Sequence, residues 1–170
     1  MQVRFAQPDD ARAVAEIHVD TWQRAYVGLV SAEFLASLSV EKSQAMWSEC
    51  IANGSPQLLV ASDSNQICGW VAFGPCRDEG ATLETAEIWA IYVAVSQWRR
   101  GAGRQLWLHL HRELREQGFS SVALWAFPQN ERAAKFYRSL GFEAEAGTSK
   151  QFTLGGSQID EVRYARQIDA

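Results

Sequence analysis

The sequence contains few of the residues that build disulfide or metal sites. Three cysteines and three histidines occur in 170 residues, and Cys50, Cys68 and Cys76 lack C-x-x-C spacing. An odd number of cysteines without a metal-ligand pattern disfavours both a disulfide framework and a zinc site. We therefore expect the cysteines to be small, buried apolar side chains, and we expect no metal cofactor.

Long hydrophobic runs and an excess of basic residues are absent as well. The longest stretch without Asp, Glu, Lys or Arg covers residues 117–130, which is too short to span a bilayer. The first ten residues carry no apolar signal region. The 16 basic and 20 acidic side chains give a net charge of −4, without the positive footprint of a nucleic-acid-binding protein. These absences predict a cytoplasmic protein that binds neither membranes nor nucleic acids.

Apolar residues are abundant, and tryptophan is unusually frequent. Hydrophobic residues make up 47% of the chain and charged residues 21%, as in soluble globular domains. At about 150 residues per domain, the length predicts a single domain over residues 1–170. Of the seven tryptophans, we expect Trp47, Trp70 and Trp107 to lie in the core.

The order of helical and strand patterns predicts an α/β fold with a mixed sheet. Helices and strands alternate in the middle of the chain and segregate at its ends. The predicted strands cover residues 2–6, 58–61, 67–73, 84–95 and 121–127, with two more in 142–168, and the predicted helices cover 14–26, 31–38, 41–52, 101–117 and 130–140. The nearly uncharged second half of the 84–95 segment is typical of a central strand.

A turn rich in glycine and arginine, residues 99–104, lies where a predicted strand has ended and a helix begins. Gly101 and Gly103 allow close approach of a ligand to the backbone, and the first turn of a helix offers unpaired N–H groups. Arg99, Arg100 and Arg104 add charge-assisted donors. The turn therefore predicts a pyrophosphate site, with a solvated basic turn as the alternative.

Two common phosphate-binding motifs are excluded by their spacing. A Walker A loop requires Gly-Lys-Ser/Thr, which does not occur in this sequence. A dinucleotide fingerprint requires a third Gly or Ala where Leu106 stands. Neither ATP nor NAD is favoured.

Two segments resemble the conserved motifs of the GCN5-related N-acetyltransferase (GNAT) family. Residues 86–106, AEIWAIYVAVSQWRRGAGRQL, resemble motif A, and residues 124–142, LWAFPQNERAAKFYRSLGF, resemble motif B. The resemblance implies an acyl-CoA N-acyltransferase fold, with a mixed sheet of six to seven strands flanked by helices. It also implies acetyl-CoA as co-substrate.

The resemblance assigns roles to individual residues. It implies that the pantetheine pairs with the backbone of Ile91, Tyr92 and Val93 near a strand bulge, that Asn130 contacts the cofactor, and that residues 99–104 (Arg99, Arg100, Gly101, Ala102, Gly103 and Arg104) hold its phosphates. Motif A usually begins with Gln or Arg, whereas this sequence has Trp98. We expect Arg99, Arg100 or Arg104 to replace the missing donor.

An acid and a base complete the predicted site. The resemblance makes Tyr137 the acid that protonates the departing thiolate, and its seven-residue spacing from Asn130 places both on one helix face. The resemblance also implies that Glu87 is the general base, because its spacing from Gly101 matches that of the general-base glutamate in the histone-acetylating branch of the family. An apolar strand would partly desolvate its carboxylate and raise its pKa. Glu84 is a competing carboxylate.

Aromatic residues are predicted near the acceptor site. Trp22, Tyr26 and Trp89 are expected near its opening, where aromatic faces suit a cationic amine; alternatively, Trp22 and Tyr26 pack a helix onto the sheet. Trp125 stands where a ribosomal-protein-acetylating branch typically carries a glutamate. We therefore expect a small-molecule amine acceptor. The alternatives are a protein or peptide N-terminal acetyltransferase and a non-catalytic acyl-CoA-binding module. The family resemblance makes a homodimer plausible.

Overall fold

The computed structural model describes residues 1–168, and it contains the helices and strands in the predicted order. The strands are β1 (Gln2–Phe5), β2 (Gln57–Asp63), β3 (Gln66–Pro75), β4 (Thr85–Val93), β5 (Ser121–Ala126), β6 (Glu143–Leu154) and β7 (Ser157–Gln167). The helices are α1 (Ala11–Ala25), α2 (Ala32–Ser37), α3 (Val40–Asn53), α4 (Ala102–Glu116) and α5 (Glu131–Ser139). None of these helices is long and apolar enough to cross a membrane.

Local capping explains several helix boundaries. The Ser39 side chain accepts a hydrogen bond from the Lys42 N–H at the start of α3, and Gly54, with a φ of +63°, ends that helix. Both are residue types that favour these positions. Asn130 caps α5 in the same way, because its Oδ1 accepts a hydrogen bond from the Ala133 N–H.

The seven strands form one mixed sheet in the order β1-β2-β3-β4-β5-β7-β6. The predicted α/β class and strand number are confirmed, and the predicted central strand, β4, lies in the middle of the sheet. Neighbouring strands pair antiparallel except β4 and β5, which are parallel. A parallel pair requires a crossover connection, and α4 provides it.

Two hydrophobic layers cover the two faces of the sheet. One packs α4 and α5 against the strands and includes Trp107 and Phe142. The other packs α1 and α3 on the opposite face and includes Trp47 and Trp70, of which Trp70 is fully buried. The expected core positions of Trp47, Trp70 and Trp107 are confirmed.

The central parallel pair separates at one end of the sheet. Pairing between β4 and β5 runs from Thr85 opposite Ser121 to Ile88 opposite Leu124 and stops there, although β4 continues to Val93. The register of β3 against β4 shifts at the same level, because Ile88 pairs with Phe73 and Ala90 with Ala72. Trp89 is therefore the extra residue of a β-bulge, which bends β4 away from β5.

Candidate active site

A large cleft, hereafter the main cleft, extends from the gap between β4 and β5. Its volume is about 1400 Å³, and its walls come from α1, the end of β4, α4 and α5. The helices on both faces of the sheet contribute, since α1 covers one face and α4 and α5 cover the other. Among the residues that line it are Tyr26, Tyr92, Trp98, Gly103, Asn130 and Tyr137.

The start of α4 forms one wall of the main cleft. Gly101 precedes the helix with a φ of +93°, a left-handed conformation that glycine adopts without steric cost. Within the described residues no side chain caps this end, and the Gln105 N–H bonds to the Gly101 carbonyl at 3.0 Å. The N–H groups of the first turn thus remain available for an anion from outside.

Arginine side chains surround this helix start. Within residues 1–168, Arg99, Arg100 and Arg104 form no ion pair with a carboxylate. Arg99 and Arg104 line the main cleft, whereas Arg100 does not. In the free protein, the positive end of the helix dipole repels these arginines. A bound polyanion would offset this repulsion.

Gly103 has a packing role that the sequence pattern did not reveal. A Cβ at this position would lie 3.0 Å from Cζ of Phe136 on α5, closer than side chains normally pack. The absence of a side chain therefore lets α4 and α5 approach each other beside the cleft.

Trp98 holds the turn before α4 against the end of β4. Its indole Nε1 donates a hydrogen bond to the Val93 carbonyl at 2.8 Å. The guanidinium of Arg132, from α5, lies 3.4 Å from the centroid of the Trp98 ring. Trp98 therefore links β4 to α5 across the cleft.

The open edge of β4 directs backbone N–H groups into the gap. The Ala94 N–H donates to the Cys68 carbonyl, on the β3 side. Because consecutive residues of a strand alternate in direction, Ile91 and Val93 direct their N–H groups to the opposite side, where β5 has diverged. The bulge at Trp89 lies just before this stretch.

Asn130 and Tyr137 both line the main cleft from α5. The Asn130 Oδ1 is engaged in capping the helix, so its amide NH₂ is the group available to a ligand. Tyr137 is only 9% exposed, and its ring contacts Phe142 and Tyr164. Burial raises the pKa of the Tyr137 hydroxyl well above its ordinary value, so the phenol stays protonated at physiological pH.

Two further phenols converge with Tyr137 in the main cleft. Tyr92 accepts a hydrogen bond from Trp22 Nε1 at 2.8 Å, and the rings of Trp22 and Tyr26 lie 4.8 Å apart. Burial is the main cause of the raised pKa values of Tyr26 and Tyr92. Trp22 thus holds Tyr92 in place and does not itself line the cleft.

A second, smaller cavity, hereafter the polar cavity, lies beside β4 and contains the predicted base. Its volume is about 240 Å³, and it is lined by Arg77, Asp78, Glu87, Ile88, Trp89, Trp125, Lys150 and Glu161. Ala86 and Ile88 pack with the α4 layer. The intervening Glu87 therefore points to the opposite face of the sheet, the α1 side.

Glu87 is buried and ion-paired. It is 3% exposed and forms a salt bridge with the Arg77 guanidinium. Its Oε2 also accepts hydrogen bonds from the Arg77 backbone N–H at 2.9 Å and from Arg77 Nε at 3.1 Å. The Arg77 guanidinium stacks 4.0 Å over the Trp89 ring. Glu84 is exposed, bonds to Ser120 and lies outside the polar cavity.

The remaining charges of the polar cavity are organised around Asp78. Its carboxylate accepts hydrogen bonds from Lys150 Nζ at 2.7 Å, Arg163 Nε at 2.8 Å and Trp125 Nε1 at 3.0 Å. Despite partial desolvation, these donors lower the pKa of Asp78 to about 2. Glu161 is half-buried in the same cavity, and desolvation raises its pKa.

The predicted site residues thus divide between two places. Except for Arg100, the residues expected to bind the cofactor line the main cleft together with Tyr137 and Tyr26. Glu87 and Trp89 lie in the polar cavity. The sequence did not single out Arg77, Asp78, Lys150 or Glu161, because these residues come from three separate segments and share no local motif. Arg132 lies within the segment that resembles motif B, but the resemblance assigns it no role.

Comparisons with known proteins establish the family. The model of the Acetyltransferase (GNAT) family matches residues 12–142. The uncharacterized N-acetyltransferase YuaI of Bacillus subtilis is 30% identical over 94% of this chain and 89% of its own length. The L-amino acid N-acyltransferase MnaT of Escherichia coli is 26% identical over 99% of this chain and 95% of its own length.

The fold agrees with a solved structure. YncA of Salmonella typhimurium, a putative acetyltransferase solved with acetyl-CoA, superimposes with a TM-score of 0.76 at 23% identity, covering 100% of this chain and 95% of that one. The chain belongs to the GNAT family, and its class is that of acetyl-CoA-dependent N-acetyltransferases. Members of this family act on small-molecule or peptide amines.

Proposed function

We propose that this chain transfers the acetyl group of acetyl-CoA to the primary amine of a small molecule. The observation that carries the proposal is the composition of the main cleft. One cleft combines an uncapped, arginine-rich helix start, an open strand edge and a buried, protonated phenol. Acetyl-CoA would supply an activated acetyl thioester there.

The residues of the main cleft fit this cofactor. The N–H groups of residues 101–104 and the side chains of Arg99 and Arg104 would bind the pyrophosphate. The backbone of residues 91–93 would pair with the pantetheine along the open edge of β4, and the Asn130 amide would bind it from α5. Arg100 would contribute long-range attraction rather than contact, because it does not line the cleft.

Tyr137 would be the general acid. Its raised pKa keeps a proton on the phenol at working pH, and no described residue accepts a hydrogen bond from its hydroxyl. A protonated, uncommitted hydroxyl in the cleft can donate to the thiolate that leaves.

Glu87 would be the general base, acting on the acceptor ammonium through water. Its carboxylate is already bound by Arg77, so accepting a proton requires Arg77 to release at least one oxygen. The Arg77 side chain is 54% exposed, which gives it room to move. Glu161 is the second candidate base, because its half-buried carboxylate lies in the same cavity and desolvation raises its pKa.

The acceptor would occupy the polar cavity and extend toward the gap in the sheet. A volume of about 240 Å³ suits a compound of amino-acid size, and both signs of charge line it. The Trp89 and Trp125 rings in this cavity are already covered by the Arg77 guanidinium and the Lys150 ammonium, so an acceptor ammonium would reach a ring face only by displacing one of these cations. The similarity to an L-amino acid N-acyltransferase supports a small amino-acid-like acceptor over a protein N-terminus.

A thiol-release assay with acetyl-CoA and a panel of acceptors tests this function. The panel pairs each amino acid with its amide and its decarboxylated amine, and it includes polyamines and short peptides. We expect thiol release with at least one free small amine and little with peptides. Release with peptides alone would contradict the assigned acceptor class, and binding of acetyl-CoA without release would indicate a non-catalytic module.

A further inference from the structure

Arg132 lies in the first turn of α5, where a cation is unfavourable. The helix runs from Glu131 to Ser139, and the partial positive charge at its N-terminus opposes a guanidinium there. Within residues 1–168 Arg132 has no carboxylate partner; the adjacent Glu131 pairs with Lys135 instead. The position of Arg132 is therefore not explained by the stability of the helix.

The Trp98 ring fixes Arg132 at the cleft. The guanidinium stacks 3.4 Å from the ring centroid, and the indole is anchored in turn by its hydrogen bond to the Val93 carbonyl. A stacked guanidinium keeps its N–H donors free in the plane of the group, unlike one buried in an ion pair. Both residues line the main cleft.

Other positive charge accumulates at the same place. Partial burial lowers the pKa of the Arg132 guanidinium, and so does the neighbouring Arg99. Arg99 and Arg104 line the same cleft and likewise have no carboxylate partner among the described residues. The arrangement holds like charges together with no carboxylate partner in residues 1–168, which favours binding of an anion in the cleft.

We propose that Arg132 binds the pyrophosphate of coenzyme A and takes the place of the Gln or Arg side chain that motif A usually provides at position 98. This inference rests on the proposed function. Trp98 lacks a donor for phosphate, and its indole N–H is used by Val93. Its ring instead positions a donor that comes from motif B. Trp98 and Arg132 thus form a pair that divides one role between two segments of the chain.

Isothermal titration calorimetry with coenzyme A tests the proposal without any turnover. Arg132→Gln is compared with Arg138→Gln, which removes an arginine of the same helix that does not line the cleft. A charge-assisted contact, discounted for solvent exposure, predicts about tenfold weaker binding for Arg132→Gln. Arg138→Gln should bind like the wild type. Equal affinities for the two variants would overturn the proposal.

A second ligand shows whether Arg132 contacts the pyrophosphate or the 3′-phosphate of coenzyme A. 3′-Dephospho-coenzyme A keeps the pyrophosphate and lacks the 3′-phosphate, so Arg132→Gln should weaken its binding by the same factor. If only the intact cofactor is affected, Arg132 contacts the 3′-phosphate, and the pyrophosphate assignment is wrong. If the folded wild-type protein binds neither ligand, the proposed function itself fails.

The double variant Trp98→Arg/Arg132→Gln tests the division of one role between the two positions. It restores a donor at the usual motif position and should recover most of the lost affinity. Melting temperatures measured in parallel show whether each variant is folded. A folded double variant that binds as weakly as Arg132→Gln alone would contradict the exchange of roles.

Discussion

The two cavities beside β4 differ in how their charged side chains are paired. In the main cleft, Arg99, Arg104 and Arg132 have no carboxylate partner among the described residues. In the polar cavity, Glu87 is bound by Arg77, and Asp78 is bound by Lys150 and Arg163. The main cleft is thus suited to an anion that comes from outside, whereas Glu87 and Asp78 of the polar cavity already have internal partners.

This difference constrains what each cavity can bind. An anion entering the main cleft gains attraction without breaking an existing ion pair. A charged ligand that binds Glu87 or Asp78 must replace an internal partner, since leaving a buried charge unpaired is costly. An acceptor carrying both an ammonium and an anionic group could bind Glu87 and Arg77 at once, and an amino acid meets this requirement.

The largest effect should come from Tyr137→Phe, which removes the proposed proton donor of the main cleft. We expect kcat to fall between about 10²- and 10⁴-fold, the range of general acid catalysis, with unchanged affinity for coenzyme A. Tyr164→Phe is the matched control, because Tyr164 is a buried tyrosine whose ring contacts Tyr137. Similar losses in both variants would point to packing instead of proton donation.

The polar cavity is tested by Glu87→Gln, for which we expect about a 10²-fold loss of kcat. Arg77→Gln should instead raise KM for the acceptor, because it removes the proposed partner of the acceptor's anionic group. Glu84→Gln, an exposed carboxylate outside the cavity, should have no effect. If Glu161→Gln lowers kcat and Glu87→Gln does not, the base is Glu161.

The pH dependence of the unfolding free energy separates the contribution of His18, a residue of α1, from that of Asp78 in the polar cavity. Burial lowers the pKa of His18 to about 4, below about 6.5 in an unfolded chain. The unfolded state binds this proton first, so the unfolding free energy should fall as pH drops from about 6.5 to about 4, by about 3 kcal/mol. The contribution of the ionised Asp78 carboxylate to the unfolding free energy is lost only below the usual pKa of an aspartate, as the pH falls toward 2.

Denaturant unfolding of His18→Gln at several pH values checks this assignment. In the variant, the unfolding free energy should fall much less between about pH 6.5 and about pH 4, whereas its fall at lower pH should remain. If the unfolding free energy of the variant falls with pH as steeply as that of the wild type, groups other than His18 cause the fall.

The smallest effect concerns the wall of the main cleft. Gly103→Ala raises the helix propensity of α4 but crowds Phe136, so its two effects on the free energy of unfolding oppose each other. Phe136→Leu should relieve the crowding. A double-mutant cycle of unfolding free energies should therefore give a favourable coupling of about 1 kcal/mol. A coupling near zero would mean that Phe136 moves aside freely.

The sequence allowed the fold and most of the main cleft to be predicted, because the relevant signals are local. The turn at residues 99–104 follows a strand and opens a helix, and Asn130 and Tyr137 lie on one short helix. The placement of these residues follows from secondary structure alone. Their roles toward a cofactor stay predictions.

The polar cavity could not be predicted in the same way. Arg77 and Asp78 come from the connection after β3, Lys150 from β6 and Glu161 from β7, and only the sheet order brings them together. No spacing rule reveals that Arg77 covers Glu87. The bulge that displaces Trp89 arises from pairing with β3, which a single strand pattern does not encode.

Detection of the acetylated product by mass spectrometry, together with thiol release, tests the central claim most directly. We predict that incubation with acetyl-CoA and a small amino-acid-like amine yields the N-acetylated amine and free coenzyme A in equal amounts, and that Tyr137→Phe binds the cofactor but forms little of either. Cofactor binding by the wild-type protein without an acetylated product from any amine in the panel would contradict the account.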